Sequence, residues 1–185
     1  MRYALLVSCF LAVACSGSAS AGPLAADRPE TRASASLAVA SSSFAAGGSI
    51  PLAYSAYGAN RSPALRWSAL PPKTKSLALM MEDPDAMARP FIHWLAWNID
   101  PAAGGLAEGS VPAGVRQGRN GRGADVYFGP RPHGPKPHHY HFQLFALDRT
   151  LDLPSGASRE QLLAAMNRHV LAKGDLIGLF AEPRR

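Results

Sequence analysis

Two stretches of this sequence, residues 91–99 and 138–147, alternate in the way that a strand inside a sheet requires. Successive side chains of a strand point to opposite faces, so odd and even positions can be read as two separate surfaces. One face of the first stretch holds Phe91, His93, Leu95, Trp97 and Ile99, and the matching face of the second holds His138, Tyr140, Phe142, Leu144 and Ala146. The other face of the first stretch, which includes Ile92 and Trp94, is also mostly apolar. The pattern therefore predicts two strands, the first with both faces at least half buried.

Glycine and proline are frequent in the chain between such stretches. The 185 residues include 17 glycines and 16 prolines, scattered without a repeat. This distribution argues against a helical bundle and favours short strands joined by turns. A hydrophobic content of 47% with 17% charged residues is typical of a globular chain, and the length suits one domain. We therefore predict a mostly β, antiparallel architecture.

Other elements follow from shorter signals. Further strands are predicted at 50–54, around Trp67, at 76–81 and at 175–181. One substantial helix is predicted near the C-terminus. Ser158 and Gln161 match a capping box, Leu162, Leu163, Met166 and Val170 fall at helical spacing, and Gly174 would end the helix. The Gly- and Pro-rich stretch 102–137 is predicted to be a long loop, and loops of this length tend to carry function.

The N-terminus has the pattern of an export signal. Arg2 precedes a 12-residue apolar stretch, which is shorter than the roughly 20 residues that a membrane-spanning helix needs. Cleavage after Ala21 would define 1–21 as a signal peptide and release the protein to the periplasm or medium. Alternatively, a lipobox-like sequence before Cys15 would remove 1–14 and anchor the protein through a lipid on that cysteine. Because Ala12 occupies the position where a lipobox usually has Leu, soluble release is favoured, and both interpretations stay open.

The remaining chain divides into two parts. Residues 22–36, rich in Ala, Ser, Pro and Arg/Glu, are predicted to be a flexible tether, and 37–185 the folded domain. Both cysteines, Cys9 and Cys15, precede these residues, so the domain has no disulfide. The formal net charge of +6 is compatible with an anionic ligand, whereas nucleic acid is not an expected partner of an exported protein.

Several motifs occur in a fixed order along the chain: Asp83-Pro84-Asp85-Ala86, His93-Trp94, the Gly129-Pro130 loop, His138-His139-Tyr140 and Phe145-Ala146-Leu147-Asp148. As an ordered set they resemble the phosphatidylethanolamine-binding protein family, specifically its bacterial Raf-kinase-inhibitor-like branch. The resemblance runs from about Phe44 to Phe180. It implies a β-sandwich with a small pocket for phosphate-bearing or other anionic ligands, such as phospholipid headgroups. Some members of the family inhibit a protein partner, and the sequence leaves open whether this chain is a ligand carrier or an inhibitor. The implied ligand-binding residues are Asp83, Pro84, Asp85, His93, Gly129, Pro130, Pro132, His138 and Tyr140.

The chemistry of these residues suits an anion. Imidazoles, a tyrosine hydroxyl and glycine amides can all donate hydrogen bonds. The carboxylates of Asp83 and Asp85 would orient the imidazoles and raise their pKa, or would bind the ammonium group of a zwitterionic ligand. Cationic imidazoles predict anion binding that weakens as the pH rises. Arg131 and His133 depart from the family pattern, and the sequence leaves open whether they line the pocket.

Two alternatives compete with a non-catalytic binding protein. His133, His138, His139 and His141 suggest a metal site, although a nearby Glu ligand is missing. A hydrolase could use His93 or His138 with Asp83 or Asp85, but the sequence has neither a nucleophile elbow nor a cysteine after residue 15. We therefore predict no enzyme activity and no cofactor. Membrane contact is expected only through a lipid on Cys15, and the oligomeric state, a homodimer included, stays open.

Overall fold

The computed structural model describes residues 22–86 and 89–184. Its strands are β1 (Ala35–Ser36), β2 (Ala38–Ala40), β3 (Leu65–Ser68), β4 (Ser76–Asp83), β5 (Phe91–Ile99), β6 (Gly105–Leu106), β7 (Arg116–Gly118), β8 (His138–Leu147) and β9 (Val170–Phe180), and its helix is α1 (Arg159–Met166). Short 3-10 turns occupy Ala25–Asp27, Pro29–Thr31, Leu52–Tyr54 and Pro101–Ala103. The predicted strands at 91–99 and 138–147 are confirmed, and the fold is mostly β.

The strands form two sheets. The larger has the order β1-β9-β8-β4-β5-β7, and the smaller has the order β2-β3-β6. All pairs are antiparallel except β1 with β9. In the larger sheet β4 lies between β5 and β8, so Met81 is paired with Trp94 on one side and Phe142 on the other. This antiparallel arrangement brings the end of β4 beside the beginnings of β5 and β8, which is where the polar motifs of the sequence lie.

The larger sheet is covered on both faces. On one side Trp94, Phe142 and Leu176 pack with residues of the smaller sheet such as Leu65 and Trp67. The two sheets thus form the predicted sandwich. On the other side Met80, Trp97 and Phe145 pack against Leu162, Leu163 and Met166 of α1. The helix therefore seals the face that the smaller sheet leaves open, and a central strand can be apolar at both odd and even positions.

The C-terminal helix is shorter than predicted. Ser158 caps it through the expected capping box with Gln161, but α1 ends at Met166. Arg168 adopts a positive φ of 68°, and the chain then enters β9. Gly174 lies within β9 and does not end a helix, and the final strand begins earlier than the predicted 175–181. Glycine is needed here because the chain after β1 approaches closely: a Cβ at this position would lie 2.3 Å from the carbonyl oxygen of Leu37.

The predicted strand at 50–54 is also wrong. Ser49 makes a single bridge to Leu179, after which Leu52–Tyr54 forms a 3-10 turn. Pro51 at its N-cap lacks the N–H that a strand ladder uses, which favours the turn. The segment 102–137 contains the short strands β6 and β7 but is otherwise mostly loop, as expected.

The N-terminal segment 22–36 is folded against the domain and is not the predicted flexible tether. Its Ala25 is buried, and the backbone N–H of this residue donates to Oε2 of Glu82 at 2.7 Å. The next N–H, of Ala26, donates to Oε1 of Gln143 at 2.6 Å. Local composition did not indicate this arrangement, because the segment is held by two polar side chains of the sheet that are distant in sequence.

A buried ion pair completes this attachment. The Glu82 side chain is fully buried, and its Oε1 accepts a hydrogen bond of 2.6 Å from Nε of Arg159. Nη2 of Arg159 also donates to the carbonyl oxygen of Pro23 at 2.9 Å. The Nε2 amide of Gln143 donates to Oε2 of the same carboxylate at 2.8 Å. Sheet, helix and N-terminal segment are thus joined at one carboxylate.

The predicted signal sequence and Cys15 lie outside the described residues. Within the residues that the structure describes, no helix has the length and apolar character needed to cross a membrane.

Candidate functional site

A cavity of about 390 Å³ opens where β4, β5 and β8 meet the long loops. Four of its lining residues come from the ends of the strands, namely Asp83, Phe91, His93 and His138. The rest come from loops: Asp85, Ala86, Arg122, Phe128, Arg131, Pro132 and His133. Antiparallel pairing of the strands thus places motifs that are distant in sequence side by side in one polar site.

Asp83 orients one imidazole of the cavity. Its carboxylate is almost fully buried, and Oδ2 accepts a hydrogen bond from Nδ1 of His138 at 2.8 Å. Oδ1 accepts from the backbone N–H of Asp85, also at 2.8 Å. With Nδ1 engaged in this way, Nε2 is the ring nitrogen through which His138 can meet a ligand. The expected orienting role of an aspartate is therefore realised at this pair.

His93 is held differently. Its Nδ1 lies 2.6 Å from the carbonyl oxygen of Phe128, to which it donates, and Nε2 is 4.0 Å from Oδ2 of Asp83. Burial lowers the pKa of His93 to about 4, although the Phe128 carbonyl and the Asp83 carboxylate oppose this shift. The expectation that a neighbouring carboxylate keeps the imidazole cationic is wrong for His93, because desolvation outweighs the attraction. At neutral pH this ring is a neutral donor to the loop.

Tyr140 lies directly behind the two histidines. Its ring meets His93 edge-on, with centroids 5.1 Å apart, and stacks with His138 at 6.5 Å. The side chain is fully buried, and among the described residues its hydroxyl has no hydrogen-bond partner. Burial, together with the Asp83 carboxylate, raises the pKa of Tyr140, so the hydroxyl stays protonated. It supports the imidazoles rather than lining the cavity.

Asp85 faces a histidine that the sequence did not assign to it. Its Oδ2 accepts hydrogen bonds of 2.8 Å from both the backbone N–H and Nδ1 of His139. Partial burial acts to raise the pKa of Asp85, but these hydrogen bonds lower it below its ordinary value. Both carboxylates of the motif are therefore already paired with imidazoles.

The Gly129-Pro130 loop is a structural support. The Gly129 N–H donates to Oδ1 of Asn60 at 2.7 Å, and a Cβ at this glycine would lie 2.3 Å from the carbonyl oxygen of Tyr54. The N–H of Gly134 likewise donates to Oε2 of Glu182 at 2.6 Å. The expectation that these glycine amides serve as donors to a ligand is wrong, because both are already used within the fold.

Two arginines lie in the cavity wall. The guanidinium of Arg122 lies over the Phe128 ring, 5.1 Å from its centroid, and that of Arg131 lies over the Tyr57 ring at 5.7 Å. Within the part of the chain that the structure describes, neither has a carboxylate within 4.0 Å. The open question about Arg131 and His133 is resolved, since both line the cavity.

The four histidines considered as metal ligands do not converge. His139 and His141 do not line the cavity and pair with Asp85 and Asp175, respectively. Among the described residues, no group of three or more His, Cys, Asp and Glu side chains is arranged to hold a metal ion. This geometry gives no support to the metal-site interpretation.

Comparison with known proteins identifies the family to which these site residues belong. The family model for phosphatidylethanolamine-binding protein matches residues 40–181. The chain belongs to the phosphatidylethanolamine-binding protein (PEBP) family. The motif resemblance is thereby confirmed, as is its extent.

Relatives of this PEBP domain occur in bacteria and archaea. A UPF0098 protein of Methanothermobacter thermautotrophicus is 46% identical over 138 residues, covering 72% of this chain and 91% of that protein. A Mycobacterium tuberculosis protein named "Putative lipoprotein LppC" is 40% identical over 145 residues, covering 78% of this chain and 72% of that one. The solved structure of CT736 from Chlamydia trachomatis, described as a PEBP homologue, has a TM-score of 0.76 at 36% identity and covers 81% of this chain and 100% of CT736.

The PEBP motifs therefore divide into lining and supporting residues. Asp83, Asp85, His93, Pro132 and His138 line the cavity, whereas Pro84, Gly129, Pro130 and Tyr140 do not. Sequence reasoning missed Phe91, Arg122 and Phe128. Phe91 could have been found, because it shares a strand face with His93. Arg122 gave no such signal, since its place depends on a loop fold.

That loop is organised by a buried asparagine. Oδ1 of Asn120 accepts from the N–H of Arg122 at 2.8 Å and from that of Ala124 at 3.2 Å. Its Nδ2 donates to the carbonyl oxygen of Val126 at 2.8 Å. The backbone that carries Arg122 is thus fixed from inside the loop.

We predict that His93 makes this PEBP domain sensitive to acid. The unfolded chain binds a proton at His93 near pH 6.5, but the folded protein resists protonation down to about pH 4. Between these values the unfolded state binds more protons, so stability falls as the pH falls. Lowering the pH from 7 to 5 should cost about 2 kcal/mol through this group alone.

The measurement compares urea denaturation of the wild type and His93→Gln at the two pH values. The glutamine amide can still donate toward the Phe128 carbonyl, and the other acid-sensitive groups, such as Asp85, are common to both proteins. The wild type should lose more stability than the variant. Equal losses would show that His93 is not the responsible group.

Proposed function

We propose that this PEBP-family chain is an exported, non-catalytic binding protein whose cavity takes phosphate-bearing or other anionic ligands. The observation that carries the proposal is the cavity itself, in which His133 and His138 lie beside two arginines. His138 is held by Asp83 with its second nitrogen available, and the arginines supply positive charge. The family match and the fold support the same ligand class.

Export is part of the proposal. The support is the N-terminal signal pattern together with the relative named as a lipoprotein. Retention by a lipid on Cys15 would place the cavity at a membrane, whereas cleavage after Ala21 would release it. An inhibitory action on a protein partner, suggested by the Raf-kinase-inhibitor-like branch, is the alternative to a carrier role.

The cavity lining also bears on catalysis. Among the described lining residues there is no serine, threonine, cysteine or lysine to act as a nucleophile. A hydrolase would instead have to use water activated by His138, or a lining aspartate or histidine as its nucleophile. We expect no turnover of phosphomonoesters, phosphodiesters or carboxylic esters, and sustained turnover lost in His138→Ala would contradict the non-catalytic proposal.

The binding proposal predicts a specific loss in His138→Ala. Calorimetric titration of the mature protein with inorganic phosphate should show binding, and the variant should bind roughly tenfold to a hundredfold more weakly, as expected for one lost hydrogen bond to a charged group. His141→Ala is the matched control. It removes an imidazole from the same strand, but that imidazole pairs with Asp175 on the opposite face.

The two variants separate the cavity from the general basic surface. Binding that is unchanged in His138→Ala, or reduced equally in His141→Ala, would place the anion elsewhere. Native mass spectrometry of protein purified from its own host should in addition reveal a retained phosphate-bearing molecule.

A further inference from the structure

The carboxylates of the cavity are poorly placed to bind an ammonium group. Asp83 accepts hydrogen bonds from His138 and from a backbone N–H, and Asp85 accepts two from His139. A ligand ammonium would meet carboxylates that already share their negative charge with these donors. The pairing weakens the reason to expect a zwitterionic headgroup at this site.

The positive charge available to a ligand comes from arginine. His93 is neutral at neutral pH because burial lowers its pKa to about 4, and the amides of Gly129 and Gly134 are occupied. Arg122 and Arg131 are exposed at the cavity wall, and arginine remains charged at all physiological pH values. These two side chains therefore supply the permanent positive charge of the cavity wall.

Both guanidinium groups rest on aromatic rings that the fold holds in place. The Phe128 ring stacks with His93, 5.8 Å between centroids, and its backbone N–H donates to the His93 carbonyl at 2.9 Å. The Tyr57 ring stacks with Phe180 at 6.3 Å, and its hydroxyl donates to the Pro132 carbonyl at 2.7 Å. A guanidinium over a ring face keeps its N–H edge available, and such a planar edge matches phosphate oxygens.

We infer that Arg122 and Arg131 form a two-armed clamp that selects a terminal, doubly charged phosphate over a phosphodiester. The inference rests on the proposed function and specifies its ligand. Two cations at the wall interact with the second charge of a phosphomonoester, which a diester lacks. The terminal phosphate can belong to a soluble phosphomonoester or to a lipid such as phosphatidic acid.

The test uses two soluble probes that differ at the phosphate. Glycerol 3-phosphate carries a terminal phosphate, and glycerophosphoethanolamine is the corresponding diester with an ammonium group. Calorimetry at fixed pH and salt should show the monoester binding at least about tenfold more tightly to the mature protein. Vesicles of phosphatidylcholine with and without phosphatidic acid form a second arm, in which sedimentation of the protein reports a lipid source.

Arg122→Gln and Arg131→Gln are the test variants, with Arg119→Gln as the control. Arg119 is exposed and lies near Arg122 in the chain but does not line the cavity. Each test variant should lose about tenfold in affinity for glycerol 3-phosphate and much less for the diester. The double variant should bind the two probes almost equally, whereas the control should keep the wild-type preference.

The outcomes distinguish the clamp from the proposed function. If glycerol 3-phosphate binds, His138→Ala weakens it, and the double arginine variant keeps the monoester preference, the clamp is wrong while the anion site stands. If no phosphate-bearing probe binds the wild type, both proposals fail. Equal affinities of the wild type for the two probes would overturn the clamp directly.

Discussion

Replacing Arg159 by methionine is expected to lower the free energy of unfolding by about 3–5 kcal/mol. The substitution leaves the fully buried carboxylate of Glu82 without its cationic partner. It also removes the hydrogen bond to the Pro23 carbonyl, which helps hold the N-terminal segment. A buried charge that loses its partner keeps its desolvation penalty, so the loss exceeds that of a surface pair.

Urea denaturation of Arg159→Met measures the change in the free energy of unfolding. Two further variants test whether the buried ion pair is its cause. Arg149→Met removes an exposed arginine and should change stability little. The double variant Glu82→Gln/Arg159→Met should recover part of the loss, because a neutral amide can still accept the N–H of Ala25. A loss below about 1 kcal/mol in the single variant would show that the pair behaves as a surface ion pair.

Replacing Gly129 by alanine should cost about 3 kcal/mol, the upper part of the range for overpacked sites. The new Cβ would lie 2.3 Å from the Tyr54 carbonyl oxygen and 2.9 Å from backbone atoms of Ser55. These are backbone atoms, so relief requires the loop and the 52–58 region to move apart. That movement would strain the hydrogen bond to Asn60 and shift the adjacent cavity wall.

Thermal and urea unfolding would measure the stability loss, and calorimetry with inorganic phosphate would measure the effect on the cavity. Gly22→Ala is the control, because its Cβ would meet only Pro90 Cδ at 3.7 Å, an ordinary contact. Stability and phosphate binding should both fall in Gly129→Ala. Neither should fall in Gly22→Ala. A Gly129→Ala protein as stable as the wild type would mean that the loop adapts without cost.

The features that sequence reasoning predicted correctly are those encoded locally. β5 and β8 were visible because their two-residue period is a property of consecutive side chains, and the capping box of Ser158 lies within four residues. The PEBP motifs are specific as an ordered set along the chain. Asp83, His93 and His138 then lie close together because the antiparallel sheet places the end of β4 beside the beginnings of β5 and β8.

The features that were missed depend on contacts between distant residues. The N-terminal segment looked like a linker because its attachment comes from Glu82 and Gln143, far along the chain. The position of Arg122 depends on how Asn120 folds its loop. The neutral state of His93 follows from its burial, which the motif containing Asp83 and Asp85 does not reveal.

The attached N-terminal segment sets a limit on how far this domain could move from a membrane. The Pro23 carbonyl is bound by Arg159, so in a form lipidated at Cys15 the linker to the membrane would consist of the residues between Cys15 and Pro23. Seven residues separate the two, so the Cα atoms of Cys15 and Pro23 can be at most about 28 Å apart, which is eight fully extended steps. A lipid-anchored form would therefore hold Pro23, and with it one side of the domain, within about 28 Å of a bilayer surface that carries the phosphate groups of its lipids.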